Sequence, residues 1–184
     1  MQRQVVLVDE NDREVGTADI DQAHLGKGQK HRALSVVLYR KKQGKTELLL
    51  QKRAETKPVF KGLWANTMCT NMRPGDEYMM RAVTRLEEEM GIKMRVEDLR
   101  TLYRFSYEAN DWTNPGWGEN ELDTVVVGQW LGGMKLNPEE VEEAKWMEWG
   151  ELQRDVKNKP EEYAPWLRMI VKDNRLIINS KKEK

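Results

Sequence analysis

Apolar residues in the first third of the chain come in short runs separated by turn residues, the pattern of strands. Residues 4–8 are rich in valine, and Asn11-Asp12 marks a turn before a second short strand at 14–18. Residues 32–39 and 47–53, joined by Lys41-Lys42-Gln43-Gly44, predict a hairpin in which Leu48, Leu49 and Leu50 form a buried run. A Gly- and Lys-containing loop flanked by His24 and His31 precedes it. Then the period changes. Met79, Ala82, Val83, Leu86 and Met90 recur at helical spacing, predicting a helix over 77–90 with Asp76 as N-cap and Gly91 as its stop. Strand patterns return at 101–107, 119–130 and 144–149, and the turn-rich loop 110–118 carries Trp112 and Trp117, both predicted exposed. A charged helix follows, then an amphipathic one over 161–173 through Trp166, Leu167, Ile170 and Val171. No repeat or linker interrupts the chain, so residues 1–184 predict one α+β domain, a mixed β-sheet flanked by helices, with a charged tail from about 175.

Composition narrows the class. Charged residues make up 34 % of the chain, yet acids and bases balance at 31 each, so no basic nucleic-acid surface is implied. The run Lys181-Lys182-Glu183-Lys184 reads as solvated tail. Cys69 is the single cysteine, which rules out an internal disulfide and suits a reducing compartment. The N-terminal apolar run is too short for a signal peptide, and no stretch approaches the about 20 apolar residues of a membrane span. A cytoplasmic protein with no membrane anchor and no obligate protein partner is the expectation.

Candidate chemistry starts with Glu119, Glu121 and Asp123, which share one face of a strand. Such a face is either solvated or neutralised by a cation, and Val125-Val126-Val127 downstream, the mark of a buried strand, favours the cation. His24 and His31, the only histidines, are potential ligands to the same ion. Cys69 is either a small buried apolar group or a reactive thiol, and its neighbours Asn66, Thr67, Thr70 and Asn71 are polar. Lys52, Arg53, Lys57 and Arg85 are surface charge or the cations of a phosphate clamp.

Residues 85–92, Arg-Leu-Glu-Glu-Glu-Met-Gly-Ile, resemble the second half of the Nudix box. The order of the other motifs resembles the type I isopentenyl-diphosphate isomerases, a branch of the Nudix fold. These motifs are His24 with His31, Arg53 with Lys57, Trp64 through Cys69, Phe105-Ser106-Tyr107, Glu119-Asn120-Glu121 and Pro165-Trp166. The resemblance implies an allylic shift through a tertiary carbocation, with an acid on one side of the double bond and a base on the other. By position it assigns Cys69 to one face and Glu121 to the other, Tyr107 beside Glu121, and Trp166 against the reacting carbons. It implies a first metal on His24, His31, Glu119 and Glu121. Glu89 would help hold a second, bridging Mg²⁺, and Arg53, Lys57 and Arg85 would hold the diphosphate.

Two positions depart from the family's pattern. Asn71 stands where a metal-binding histidine is usual; its amide oxygen can ligate Mg²⁺ or Mn²⁺ but is a weaker donor to a transition metal than imidazole. Ile20 stands where a lysine is usual, with Lys27 and Lys30 as replacement cations. The rival reading is a Nudix hydrolase acting on a nucleoside diphosphate derivative, and Thr84-Arg85 in place of that box's Arg-Glu pair weighs against it. A non-catalytic module, binding through Trp112 and Trp117, is the third.

Overall fold

Valine and leucine runs that are apolar at every position need cover on both faces of a sheet, and the fold supplies it. The computed structural model describes residues 3–173, 175 and 176. Its strands are β1 (Gln4–Val8), β2 (Glu14–Asp19), β3 (His31–Lys42), β4 (Lys45–Arg53), β5 (Trp64–Asn66), β6 (Met68–Asn71), β7 (Leu99–Asn110), β8 (Gly118–Gln129) and β9 (Val141–Glu148). Its helices are α1 (Ile20–His24), α2 (Tyr78–Met90), α3 (Trp149–Asn158) and α4 (Pro165–Lys172). Successive side chains point to opposite faces, so Leu48, Leu50, Val125 and Val127 join one core with α3 and α4, through Leu152, Val156, Leu167 and Ile170. Leu49 and Val126 enter the other, against Ala82, Leu86 and Met90 of α2. The mixed sheet and flanking helices are those expected from the periodicity.

Strand β3 is the hub. It pairs in parallel with β8 and antiparallel with β1, β4 and β6, while β7 pairs with the far edge of β8. The Cys69 segment, read from sequence only as a polar stretch, is two short strands, β5 and β6. The loop expected to hold both histidines is also structured. His24 ends α1, capped by the Asp19 side chain, and His31 opens β3.

Four local expectations change. Asp76 does not cap α2; Glu77 takes the N-cap position without a side-chain bond, because the Asp76 carboxylate accepts from the Arg73 amide at 2.9 Å and closes the preceding turn. The last helix is split. Pro165 has no N–H and biases Ala164 to extended backbone (φ −56°, ψ 143°), so α4 starts at Pro165 and a short 3₁₀ turn, Pro160–Glu162, precedes it. Trp117 is half-buried and packs on the core, whereas Trp112 is exposed. Leu176, assigned to the tail, is buried, and the exposed Arg175 before it lies over the Tyr103 ring, while 177–184 lie outside the described residues.

Gly91 ends α2 as its spacing predicts, in the left-handed region at φ 63°, with its amide bonded to the Glu87 carbonyl. A Cβ there would stand 2.6 Å from the Lys135 carbonyl oxygen. Gly91→Ala is therefore expected to cost at least about 1 kcal/mol, read as a lower urea midpoint at unchanged slope.

Candidate active site and metal centre

The pairing of β3 decides which side chains meet. His31 lies opposite Glu121 on β8, and Glu121 lies opposite Tyr107 on β7. On the other side of β3, Ser35 faces Cys69 and Ala33 faces Asn71 on β6. Paired residues share a face, so Tyr107, Glu121, Cys69 and Asn71 all point to the α3–α4 side. They line a cavity of about 520 Å³, together with His24, Glu119 and Trp166. That volume suits a small-molecule substrate.

Three of the lining residues, His24, Glu119 and Glu121, converge with the buried His31. One ligand atom each from His24, His31, Glu119 and Glu121 lies within 4.8 Å of the others. Each histidine gives its Nδ1 to a backbone carbonyl, Ile20 at 2.6 Å for His24 and Gln29 at 2.7 Å for His31, which turns both Nε2 atoms inward. His24 Nε2 stands 3.1 Å from Glu119 Oε2, and His31 Nε2 stands 3.5 Å from Glu121 Oε1. His31 Nε2 and Glu119 Oε2 are nevertheless buried without a hydrogen-bond partner among the described residues. Two imidazoles and two carboxylates with orphaned donor atoms fit a divalent cation.

The electrostatics show what the protein contributes by itself. Burial opposes charge on His24, but the Glu119 carboxylate outweighs it and raises the ring to about 9. Burial and the neighbouring Glu119 charge raise Glu121, and burial with Glu121 holds Asp123 well above the usual carboxylate range. Burial also pushes the Cys69 thiol up, with Arg53 partly opposing, so the thiol keeps its proton at neutral pH. Tyr107 donates to Glu121 Oε2 at 2.6 Å.

Asn66, though part of the Trp64–Cys69 motif, had no role assigned to it from the sequence. Its Nδ2 donates to the carbonyls of Val36 and Met68, aiming Oδ1 at the indole N–H of Trp166 (2.9 Å) and the Cys69 thiol (3.5 Å). The same indole N–H lies 3.1 Å from Cys69 Sγ. Asn71 places its Nδ2 3.5 Å from His24 Nε2, and rotating the amide would turn Oδ1 to the cluster.

The basic residues reach the same cavity. Arg53 lines it, with its Nη2 and Nε bonded to the Val59 and Phe60 carbonyls and its guanidinium 5.2 Å from the Trp166 ring centroid. Lys57 and Arg85 line it too, both paired to Glu140, a residue no sequence motif singled out. Glu89 is fully buried and accepts from Arg85, with Oε2 unpartnered among the described residues, and stands outside the four-residue cluster. Neither lysine proposed to replace the charge missing at Ile20 lines the cavity; Lys30 is drawn to Glu10 instead. Arg3, whose carbonyl accepts from the Ile20 amide, brings a cation to that wall.

The NUDIX domain matches residues 29–169. The chain is 39 % identical to isopentenyl-diphosphate Delta-isomerase 2 of Aromatoleum aromaticum, over 91 % of this chain and 84 % of that one. It is 36 % identical to isopentenyl-diphosphate Delta-isomerase of Pectobacterium atrosepticum, over 90 % and 88 %. The crystal structure of DR0079 from Deinococcus radiodurans superposes with a TM-score of 0.71 at 18 % identity, covering 92 % of this chain and 97 % of that one, which supports the fold. No helix among the described residues is long and apolar enough to cross a membrane.

Proposed function

Since this chain belongs to the NUDIX family, and within it to the isopentenyl-diphosphate Delta-isomerases, we propose that it converts isopentenyl diphosphate to dimethylallyl diphosphate. The observation that carries the reading is a proton-bearing thiol and a buried carboxylate, Cys69 and Glu121, lining one cavity with an aromatic ring and a ligand cluster.

The reaction adds a proton to the terminal alkene carbon and removes one from the carbon nearer the diphosphate, through a tertiary cation. Cys69 and Glu121 divide these two transfers between the faces of the double bond. Tyr107, donating to Glu121 Oε2, holds that carboxylate in place. Trp166 presents a ring that stabilises the cation without adding to it, and Asn66 keeps the ring and the thiol in register. His24, His31, Glu119 and Glu121, with Asn71 alongside, would hold a divalent ion, Mg²⁺ or Mn²⁺, whose charge offsets the buried carboxylates. Glu89 would take a second Mg²⁺ at the diphosphate, which Arg53, Lys57 and Arg85 grip from the wall. Hydrolysis of a nucleoside diphosphate derivative is the weaker reading, since it leaves the Cys69–Glu121 pair without a task.

The test is proton exchange. Incubation with isopentenyl diphosphate, Mg²⁺ and Mn²⁺ in D₂O is expected to give deuterated dimethylallyl diphosphate by NMR. Absence of exchange in folded, metal-loaded protein would overturn the reading.

A further inference from the structure

An anion entering the cavity is drawn to positive charge that is not already neutralised. The three cations assigned to the diphosphate are largely engaged. Glu140 takes both Lys57 and Arg85, and Arg85 also meets Glu88 at 2.7 Å and Glu89 at 2.5 Å. Arg53 gives Nε and one terminal nitrogen to backbone carbonyls.

Arg81, on the first turns of α2, differs. It lines the same cavity, its side chain is 9 % exposed, and its Nε is buried without a hydrogen-bond partner among the described residues. One terminal nitrogen donates to Thr70 Oγ1 at 3.1 Å, next in sequence to Cys69. The carboxylate beside it is Asp76, whose Oδ2 is 3.4 Å from Nε and already accepts from the Arg73 amide. Burial lowers the pKa of Arg81, and the nearby charges of Arg73 and Arg85 lower it further. Arg73 lines the cavity as well, and its guanidinium has no ion pair among the described residues. Two guanidiniums, one of them buried with an open donor, thus face the cavity with a single carboxylate between them. A buried, half-compensated guanidinium is costly unless a ligand completes its bonds.

We propose that Arg81, supported by Arg73, binds phosphate oxygens of the substrate and forms an anion subsite distinct from Arg53, Lys57 and Arg85. The proposal rests on the diphosphate reading above and adds to it the residues that take the phosphate charge.

Inorganic pyrophosphate with Mg²⁺ is the probe, titrated by calorimetry into the metal-loaded protein. Arg81→Gln is expected to weaken its binding at least about tenfold, the weight of a hydrogen bond to a charged group, with Arg81→Lys recovering part and Arg73→Gln losing about threefold. KM for isopentenyl diphosphate should rise in the same ratio while kcat stays within about twofold, the mark of lost ground-state binding. Pyrophosphate affinity unchanged in folded Arg81→Gln overturns the proposal. If that variant does not fold, Arg73→Gln decides, and unchanged affinity there overturns it equally. Pyrophosphate binding that depends on Arg81, in a protein that makes no dimethylallyl diphosphate, keeps this subsite and removes the isomerase reading. Isomerisation with pyrophosphate affinity indifferent to Arg81 does the reverse.

Discussion

Cys69→Ala is expected to lower the isomerisation rate by about a thousandfold or more, within the range that positioned acid–base groups supply. Alanine carries no proton, and the position it would leave is walled by Trp166 and Asn66. The ring should hold its place, because Asn66 Oδ1 still accepts the indole N–H. Magnesium pyrophosphate affinity and the far-UV circular dichroism spectrum are therefore expected to stay close to those of the parent. A variant retaining more than a tenth of the parent rate would show that Cys69 does not carry a transferred proton. Hydrolysis of nucleoside diphosphate derivatives, if the protein performed it, would survive the same substitution.

Stripping the protein of divalent metal is expected to reduce turnover about a hundredfold or more and to lower the melting temperature. The physical reason lies in the four buried ligands. Without an ion the cluster neutralises itself, with His24 raised to about 9 and Glu119 held below the usual carboxylate range, burial opposing but the imidazolium contact prevailing. His31 Nε2 stays buried without a hydrogen-bond partner among the described residues. Returning Mn²⁺ at a hundred times its dissociation constant should add about 2.7 kcal/mol of stability. Glu119→Gln should remove bound metal, measured by elemental analysis, along with the thermal shift. Full Mn²⁺ stoichiometry in Glu119→Gln would place the ion elsewhere.

Several features of the site were legible in the sequence. The alternation of Glu119, Glu121 and Asp123 put their side chains on one face, and all three are buried there. The spacing of Met79, Ala82, Leu86 and Met90 marked α2, and the continuous apolar runs of β4 and β8 marked strands covered on both sides. The motif resemblance supplied the meeting of His24, His31, Cys69 and Trp166 with those acids. Spacing alone could not have done so.

Other features had no local signal. Asn66 and Glu140 look like ordinary polar positions until their partners, Trp166 at 100 residues' separation and Lys57 at 83, are brought beside them. Arg81 looks like surface charge on a helix until α2 docks and buries its Nε. The failed N-cap at Asp76 has the same origin, a competing amide three residues away that the turn brings within 2.9 Å.

By itself, then, the sequence determined what depends on neighbours within a few residues: strand and helix periods, the shared face of the acids, and the stop at Gly91. The tertiary structure decided which charges are compensated and which are left open to a ligand. It did so through the register of β3 against β8 and β6, because a carboxylate or guanidinium acquires its energy from groups that only long-range pairing and burial bring within a few ångströms.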